Sequence, residues 1–128
     1  MEFTSQICTT NEQSERLLAL GLKSWTADMG IVKSTNEIYI GCPTDYSFER
    51  DLHIPAWSLN RLIEMLTYQV IHNSKKYEPV IAIDGMAYQD VCNDDPIVGW
   101  SGNLYTDIID CIEWIINIEQ FNQEYLHK

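Results

Sequence analysis

Histidines and carboxylates are the side chains of this chain whose types and spacing could support acid–base or metal chemistry. His53 lies two residues after Asp51, so a carboxylate could orient its imidazole as a general base. Asp90, Asp94 and Asp95 form a second group, and their carboxylates are ligands of the kind that divalent cations bind. Together these residues would form the site of a small ligand-binding domain or enzyme.

The spacing of such side chains matches none of the common catalytic or metal-binding motifs. The three histidines do not form H-x-x-x-H or H-E-x-x-H, and the four cysteines include no C-x-x-C pair. Ser58 lacks the glycines of a nucleophile elbow, and residues 99–102 match neither a P-loop nor a dinucleotide fingerprint. We therefore expect no metal ion and no cofactor, and a non-enzymatic role is favoured over catalysis.

Acidic residues dominate the charge of the chain. Its 128 residues include nineteen Asp and Glu against eight Lys and Arg, which gives a formal net charge of −11. Residues 77–127 contain ten of the acidic residues and no Lys or Arg. Such a surface repels phosphates, so direct binding to nucleic acid is not expected. Two interpretations stay open, because the acidity can serve solubility alone or can form a docking surface for a basic partner protein.

Aromatic residues are the candidate contacts for a protein partner. Tyr46 and Phe48 lie in a stretch of alternating aromatic and polar residues that has no helical pattern, and Trp100 is the last residue of a short β-prone run. Large amphipathic rings dominate the binding energy of many interfaces. We therefore predict Tyr46, Phe48 and Trp100 as binding residues, together with the acidic pair Asp94 and Asp95.

The first helix is predicted from its ends. The capping-box pattern, a threonine followed three residues later by Glu or Gln, occurs twice and starts at Thr9 and at Thr10. Gly21 can adopt the left-handed conformation that ends a helix, with Leu22 folding back onto the last turn. These signals predict a helix over residues 11–20.

The second helix is predicted to begin at Ser58, a favourable N-cap that follows Pro55 closely. Its apolar positions recur at helical spacing and extend the helix beyond Thr67 to His72. They are Leu59, Leu62, Ile63, Leu66 and Val70.

The third helix is predicted to begin after Asn103, and its apolar residues are numerous enough for burial on more than one face. Cys111 lies on the apolar side and is expected to be a core residue rather than a nucleophile. The buried stripe is predicted to contain Leu104, Ile108, Cys111, Ile112, Ile115 and Ile118.

Short β-prone runs predict a small antiparallel meander. Residues 80–83 and 86–91 flank an Asp-Gly pair, which favours a hairpin turn because both residues tolerate positive φ. Residues 97–100 would add a third strand, and residues 37–40 would form an isolated short strand.

The chain has no apolar run of membrane-spanning length, so we expect a cytoplasmic protein with no membrane contact.

Several segments resemble a family of small uncharacterised proteins of gut Bacteroides-type bacteria and their phages or mobile elements. The resemblance rests on residues 9–22, 26–29 and 54–66, and more broadly on residues 110–115. It implies no catalytic residue, because no function is assigned to that family. The predicted second helix is longer than in the proteins that the chain resembles.

The sequence as a whole predicts an α+β fold in one domain, with three helices packed on a small antiparallel sheet. The favoured function is a protein-interaction or accessory role, and the resemblance is compatible with an origin in a phage or mobile element. The alternative is a small ligand-binding domain or enzyme with its site near His53 and the carboxylates of Asp90, Asp94 and Asp95.

Overall fold

The computed structural model describes residues 6–40, 53–82 and 85–127, and within these ranges the chain has an α+β fold. Three α-helices and two antiparallel sheets are present in this part of the chain, which confirms the predicted fold class. The helices are α1 (Asn11–Ala19), α2 (Leu59–Met65) and α3 (Leu104–Asn117). The strands are β1 (Met29–Val32), β2 (Ile38–Ile40), β3 (His53–Ala56), β4 (Val70–His72), β5 (Lys75–Ala82), β6 (Gly85–Asp90) and β7 (Pro96–Gly99).

These elements belong to two compact units. The first unit comprises the chain up to Leu62 together with the residues from Glu124 onward, and the second comprises Ile63–Gln123. None of the helices in the described ranges is long and apolar enough to cross a lipid bilayer.

The first unit is built on a three-stranded antiparallel sheet in the order β2-β1-β3. Only β2 was predicted as a strand. The central strand, β1, pairs Gly30 with Tyr39 on one side and with Pro55 on the other. Both of its neighbours come later in the chain, so the pairing that creates β1 leaves little local signal in a four-residue segment.

Both predicted ends of α1 are confirmed. Thr10, not Thr9, forms the capping box: its hydroxyl accepts the N–H of Gln13, and the Gln13 side chain accepts the N–H of Thr10. At the other end Gly21 has a φ of +103°, and the N–H of Leu22 donates to the carbonyl of Leu17. These two features form the Schellman motif that was predicted from the glycine.

The second helix begins as predicted, with the Ser58 hydroxyl accepting the N–H of Arg61 at 3.1 Å, but its predicted continuation is wrong. The helix ends at Met65, and Val70 and His72 belong to strand β4. Asn73 and Ser74 both have positive φ, as a two-residue hairpin turn requires, and they return the chain into β5. Strand pairing therefore overrides the helical periodicity.

The second unit contains a four-stranded meander in the order β4-β5-β6-β7, with α3 packed against β6 and β7. The predicted hairpin is present, but Gly85 belongs to β6, where it pairs with Ala82, and not to the predicted Asp-Gly turn. Helix α3 is capped by Asn103, whose side chain accepts the N–H of Thr106 at 2.9 Å. Ile108, Cys111, Ile112 and Ile115 are buried as predicted, whereas Leu104 is half-buried and Ile118 lies beyond the last helical residue.

The end of α3 is a second Schellman motif, but it is made without glycine. Glu119 has a φ of +61°, its N–H donates to Ile116, and the N–H of Gln120 donates to Ile115. A non-glycine residue in this conformation carries strain.

We expect Glu119→Gly to raise the free energy of unfolding by about 0.5–1 kcal/mol, measured by urea denaturation. Gly102→Ala, which places a side chain at a φ of +96°, should shift stability in the opposite direction. A loss of stability in Glu119→Gly would show that the backbone of Glu119 is not strained.

Candidate functional site

Trp100 occupies the turn of residues 99–102, which joins β7 to α3. Its φ is +57°, and the flanking Gly99 and Gly102 have φ values of +113° and +96°. A bulky residue in this region of backbone space costs about 1–3 kcal/mol, so its neighbours must hold it there. Position 99 requires glycine, because a Cβ there would lie 2.0 Å from the carbonyl oxygen of Met86.

The fully buried carboxylate of Asp107 holds this turn in place. Its Oδ1 accepts the N–H of Ser101 at 2.8 Å, and its Oδ2 accepts the N–H of Met86 at 3.1 Å. The carbonyl of Met86 in turn accepts the N–H of Trp100 at 2.9 Å. One carboxylate at the start of α3 therefore ties the helix, strand β6 and the turn together.

The indole of Trp100 rests against Gly85 and remains partly open to solvent. A Cβ built on Gly85 would lie 2.9 Å from Cε3 of Trp100 and 2.8 Å from Oδ2 of Asp107, so the close packing requires glycine here. Trp100 is 38% exposed. The turn thus presents a large ring whose backbone is already ordered.

The carboxylates of the predicted acidic group do not converge on a shared ligand. Asp90 is buried, and its side chain accepts the N–H of Cys92 at 2.8 Å and lies 3.9 Å from the Lys75 ammonium. Asp94 and Asp95 are exposed in the turn that follows. Within the described ranges, no group of three or more His, Cys, Asp or Glu side chains is placed to bind a metal ion.

The predicted binding residues of the second unit lie at two places. Asp94 and Asp95 precede β7 and Trp100 follows it, so a four-residue strand, about 13 Å long, lies between them. Tyr46 and Phe48, the other two predicted binding residues, lie outside the described residues.

His53 lies in the first unit, where its Nδ1 is 2.6 Å from the hydroxyl of Tyr39. The two rings meet edge to face across β1, with centroids 5.3 Å apart. Gly30 of β1 permits this contact, because a Cβ there would lie 2.3 Å from the Tyr39 ring. Asp51, the carboxylate predicted to pair with His53, lies outside the described residues. The hydrogen bond to Tyr39 is the partner that sequence spacing did not reveal.

The other two histidines both make contacts within the fold. His72 belongs to β4 rather than to the predicted helix end, and its ring meets Trp114 edge to face at 5.8 Å. The backbone N–H of His127 donates to the carbonyl of Gly21 at 2.8 Å.

The thiol of Cys111 is fully buried, as predicted. Burial, followed by the negative charges of Asp107 and Asp110, raises the pKa of this thiol to about 12. Burial and the charge of Asp28 likewise raise the pKa of Cys8. Both thiols are therefore protonated at neutral pH, which suits core residues and not nucleophiles.

Comparison with protein families, curated proteins and solved structures found no match to this chain. The chemistry that the site can perform follows from its own residues. The exposed ring of Trp100 can pack against an apolar group or a cation. The Asp107 carboxylate is fully buried and engaged by two backbone N–H groups, so its contribution is to position the turn.

Proposed function

We propose that this protein is a non-enzymatic cytoplasmic interaction or accessory protein, and that Trp100 anchors its partner. The observation that supports this role is the strained backbone of Trp100, held by hydrogen bonds while 38% of the residue stays exposed. Strain of this kind is concentrated at functional sites. Tryptophan is also enriched among the few residues that supply most of the energy of an interface, and a pre-ordered ring loses less entropy on binding.

A partner protein with a basic face fits this surface best. The second unit, Ile63–Gln123, contains ten Asp and Glu and only two lysines. A field of this sign accelerates association with a basic protein and disfavours nucleic acid and anionic lipid. The resemblance seen in the sequence supports an origin of this role in a phage or another mobile element.

A second candidate is a ligand-binding or catalytic site in the first unit. The observation that favours it is the 2.6 Å contact between the Tyr39 hydroxyl and His53, because a phenol–imidazole pair can exchange a proton. Under this alternative, His53 and not Trp100 would be the residue that function requires.

The test is affinity capture from a lysate of the native host, with three baits: the parent protein, Trp100→Gly and Trp25→Ala. Glycine removes the ring at residue 100 and also suits the positive φ, so this variant keeps the fold of the turn. Trp25 is the matched control, since it is 49% exposed and belongs to the first unit.

We expect one stoichiometric basic partner to be recovered by the parent and by Trp25→Ala. Its recovery should fall at least about tenfold with Trp100→Gly, the effect of losing an interface anchor. Raising the salt from about 0.15 M to three times that value should weaken the capture, because salt screens the acidic surface. If Trp100→Gly recovered as much partner as the parent, Trp100 would not be part of the interface. An empty capture with the parent would reject the interaction role and favour the site at His53.

A further inference from the structure

The outer edge of strand β4 is occupied by a side chain instead of another strand. Ile71 lies opposite Lys76 in the antiparallel pair of β4 and β5. Its N–H donates to Oε1 of Gln120 at 3.0 Å, and Nε2 of Gln120 donates to its carbonyl. A single carboxamide therefore makes both hydrogen bonds that one residue of an adjacent strand would make.

The backbone of Gln120 is held in position for this contact. Its N–H donates to the carbonyl of Ile115 in the motif that ends α3, and its own carbonyl accepts the hydroxyl of Thr67 at 2.8 Å. The side chain therefore reaches β4 from a fixed point.

The segment around β4 has the composition of a self-pairing strand. Residues 68–73 contain no Asp, Glu, Lys, Arg or Pro, although the net charge of the chain is −11. Tyr68 and Ile71 are 68% and 64% exposed. A short, uncharged, β-prone segment with exposed apolar side chains readily pairs with a copy of itself.

The opposite edge of the same sheet is protected in another way. Strand β7 begins with Pro96, which has no N–H to donate, and ends with Gly99 at positive φ. Such residues blunt an edge strand. Strand β4 contains neither proline nor glycine, so the contact with Gln120 is what protects its edge.

We propose that Gln120 covers the edge of β4 and thereby prevents this strand from pairing with β4 of a second copy of the chain. In the uncovered state, the two strands would pair antiparallel about a twofold axis, and each copy would offer the same edge. This role is independent of any partner bound at Trp100.

The test compares the full-length parent with Gln120→Ala, the nearly isosteric Gln120→Glu, and Gln123→Ala as a matched control. Glutamate can accept the N–H of Ile71 but, when ionised, cannot donate to its carbonyl. Gln123 is a second carboxamide near α3, and it donates to the carbonyl of Phe121 instead. Hydrogen exchange reports the Ile71 amide, and sedimentation velocity over a range of concentrations reports self-association.

We expect the Ile71 amide to exchange about tenfold faster in Gln120→Ala than in the parent and in Gln123→Ala, because its acceptor is lost. The average mass of Gln120→Ala should rise with concentration more steeply than that of the parent. Gln120→Glu should show a smaller rise than Gln120→Ala, because its carboxylate still accepts the N–H of Ile71 and places a charge at the edge. Adding Ile71→Lys to Gln120→Ala, which also places a charge on the edge, should reverse the rise. Unchanged exchange at Ile71, parent-like mass in Gln120→Ala, or self-association that Ile71→Lys leaves intact would each overturn the proposal.

Discussion

Asp107→Asn is expected to lower the free energy of unfolding by about 2–4 kcal/mol. The carboxylate is fully buried and accepts two backbone N–H groups, those of Ser101 and Met86. Asparagine has the same size but offers one oxygen and one NH2 group, so the amide would face one of these donors with a donor of its own. One buried N–H would be left without an acceptor, and the negative charge near the N-terminus of α3 would be lost as well.

Urea denaturation followed by circular dichroism measures this change. Asp94→Asn is the control, because Asp94 is exposed and its φ of +56° suits asparagine, so its stability should stay within about 0.5 kcal/mol of the parent. Hydrogen exchange should show the largest loss of protection at Ser101 or Met86. If Asp107→Asn were as stable as Asp94→Asn, the carboxylate would not be the group that holds the Trp100 turn.

Trp57→Ala is expected to cost about 3–5 kcal/mol of stability, the range for removal of a fully buried large aromatic residue. Trp57 is fully buried in the first unit, and its indole N–H donates to the hydroxyl of Thr26 at 2.9 Å. Its backbone N–H donates to the Thr9 hydroxyl at 3.1 Å, and its carbonyl accepts the Thr9 N–H at 2.9 Å. Removing the ring would leave both a cavity and a buried hydroxyl with one partner fewer.

Trp57→Phe separates these two contributions, since phenylalanine fills most of the space but has no N–H. We expect this variant to lose less stability than Trp57→Ala, by about half. Trp25→Ala, the truncation of a half-exposed tryptophan in the same unit, is the control for denaturation experiments. A loss in Trp57→Ala no greater than in Trp25→Ala would show that the first unit does not depend on this ring.

The local signals in the sequence predicted the starts of all three helices and the end of α1. Thr10 and Gln13 close a capping box, Gly21 ends α1, Ser58 begins α2 and Asn103 begins α3. Each of these interactions joins residues that are within a few positions of one another, so the residue types alone specify it. A hairpin joining β5 and β6 was predictable for the same reason, although Gly85 belongs to β6 and not to the turn.

Strands whose partners are distant, or whose local pattern suggests a helix, were not predictable. Strand β1 exists because β2 and β3 pair with its two edges, and β3 lies more than twenty residues further along the chain. Val70 completes a helical apolar pattern, yet pairing with Tyr77 places it in β4. Pairing between strands depends on tertiary contacts far more than on intrinsic propensity.

By itself, the sequence determined the α+β class, the N-terminal caps of the helices, the acidic charge and the choice of Trp100 as a candidate contact. Only the tertiary structure decided what holds Trp100 and what covers β4. In the sequence, Asp107 is only an acidic residue in the first turn of a helix, and Gln120 is only a polar residue after that helix. Their roles arise because folding places backbone N–H and C=O groups of β4, β6 and the Trp100 turn within hydrogen-bonding distance. Such groups are the same in every residue except proline, so a sequence cannot show which of them a side chain will meet.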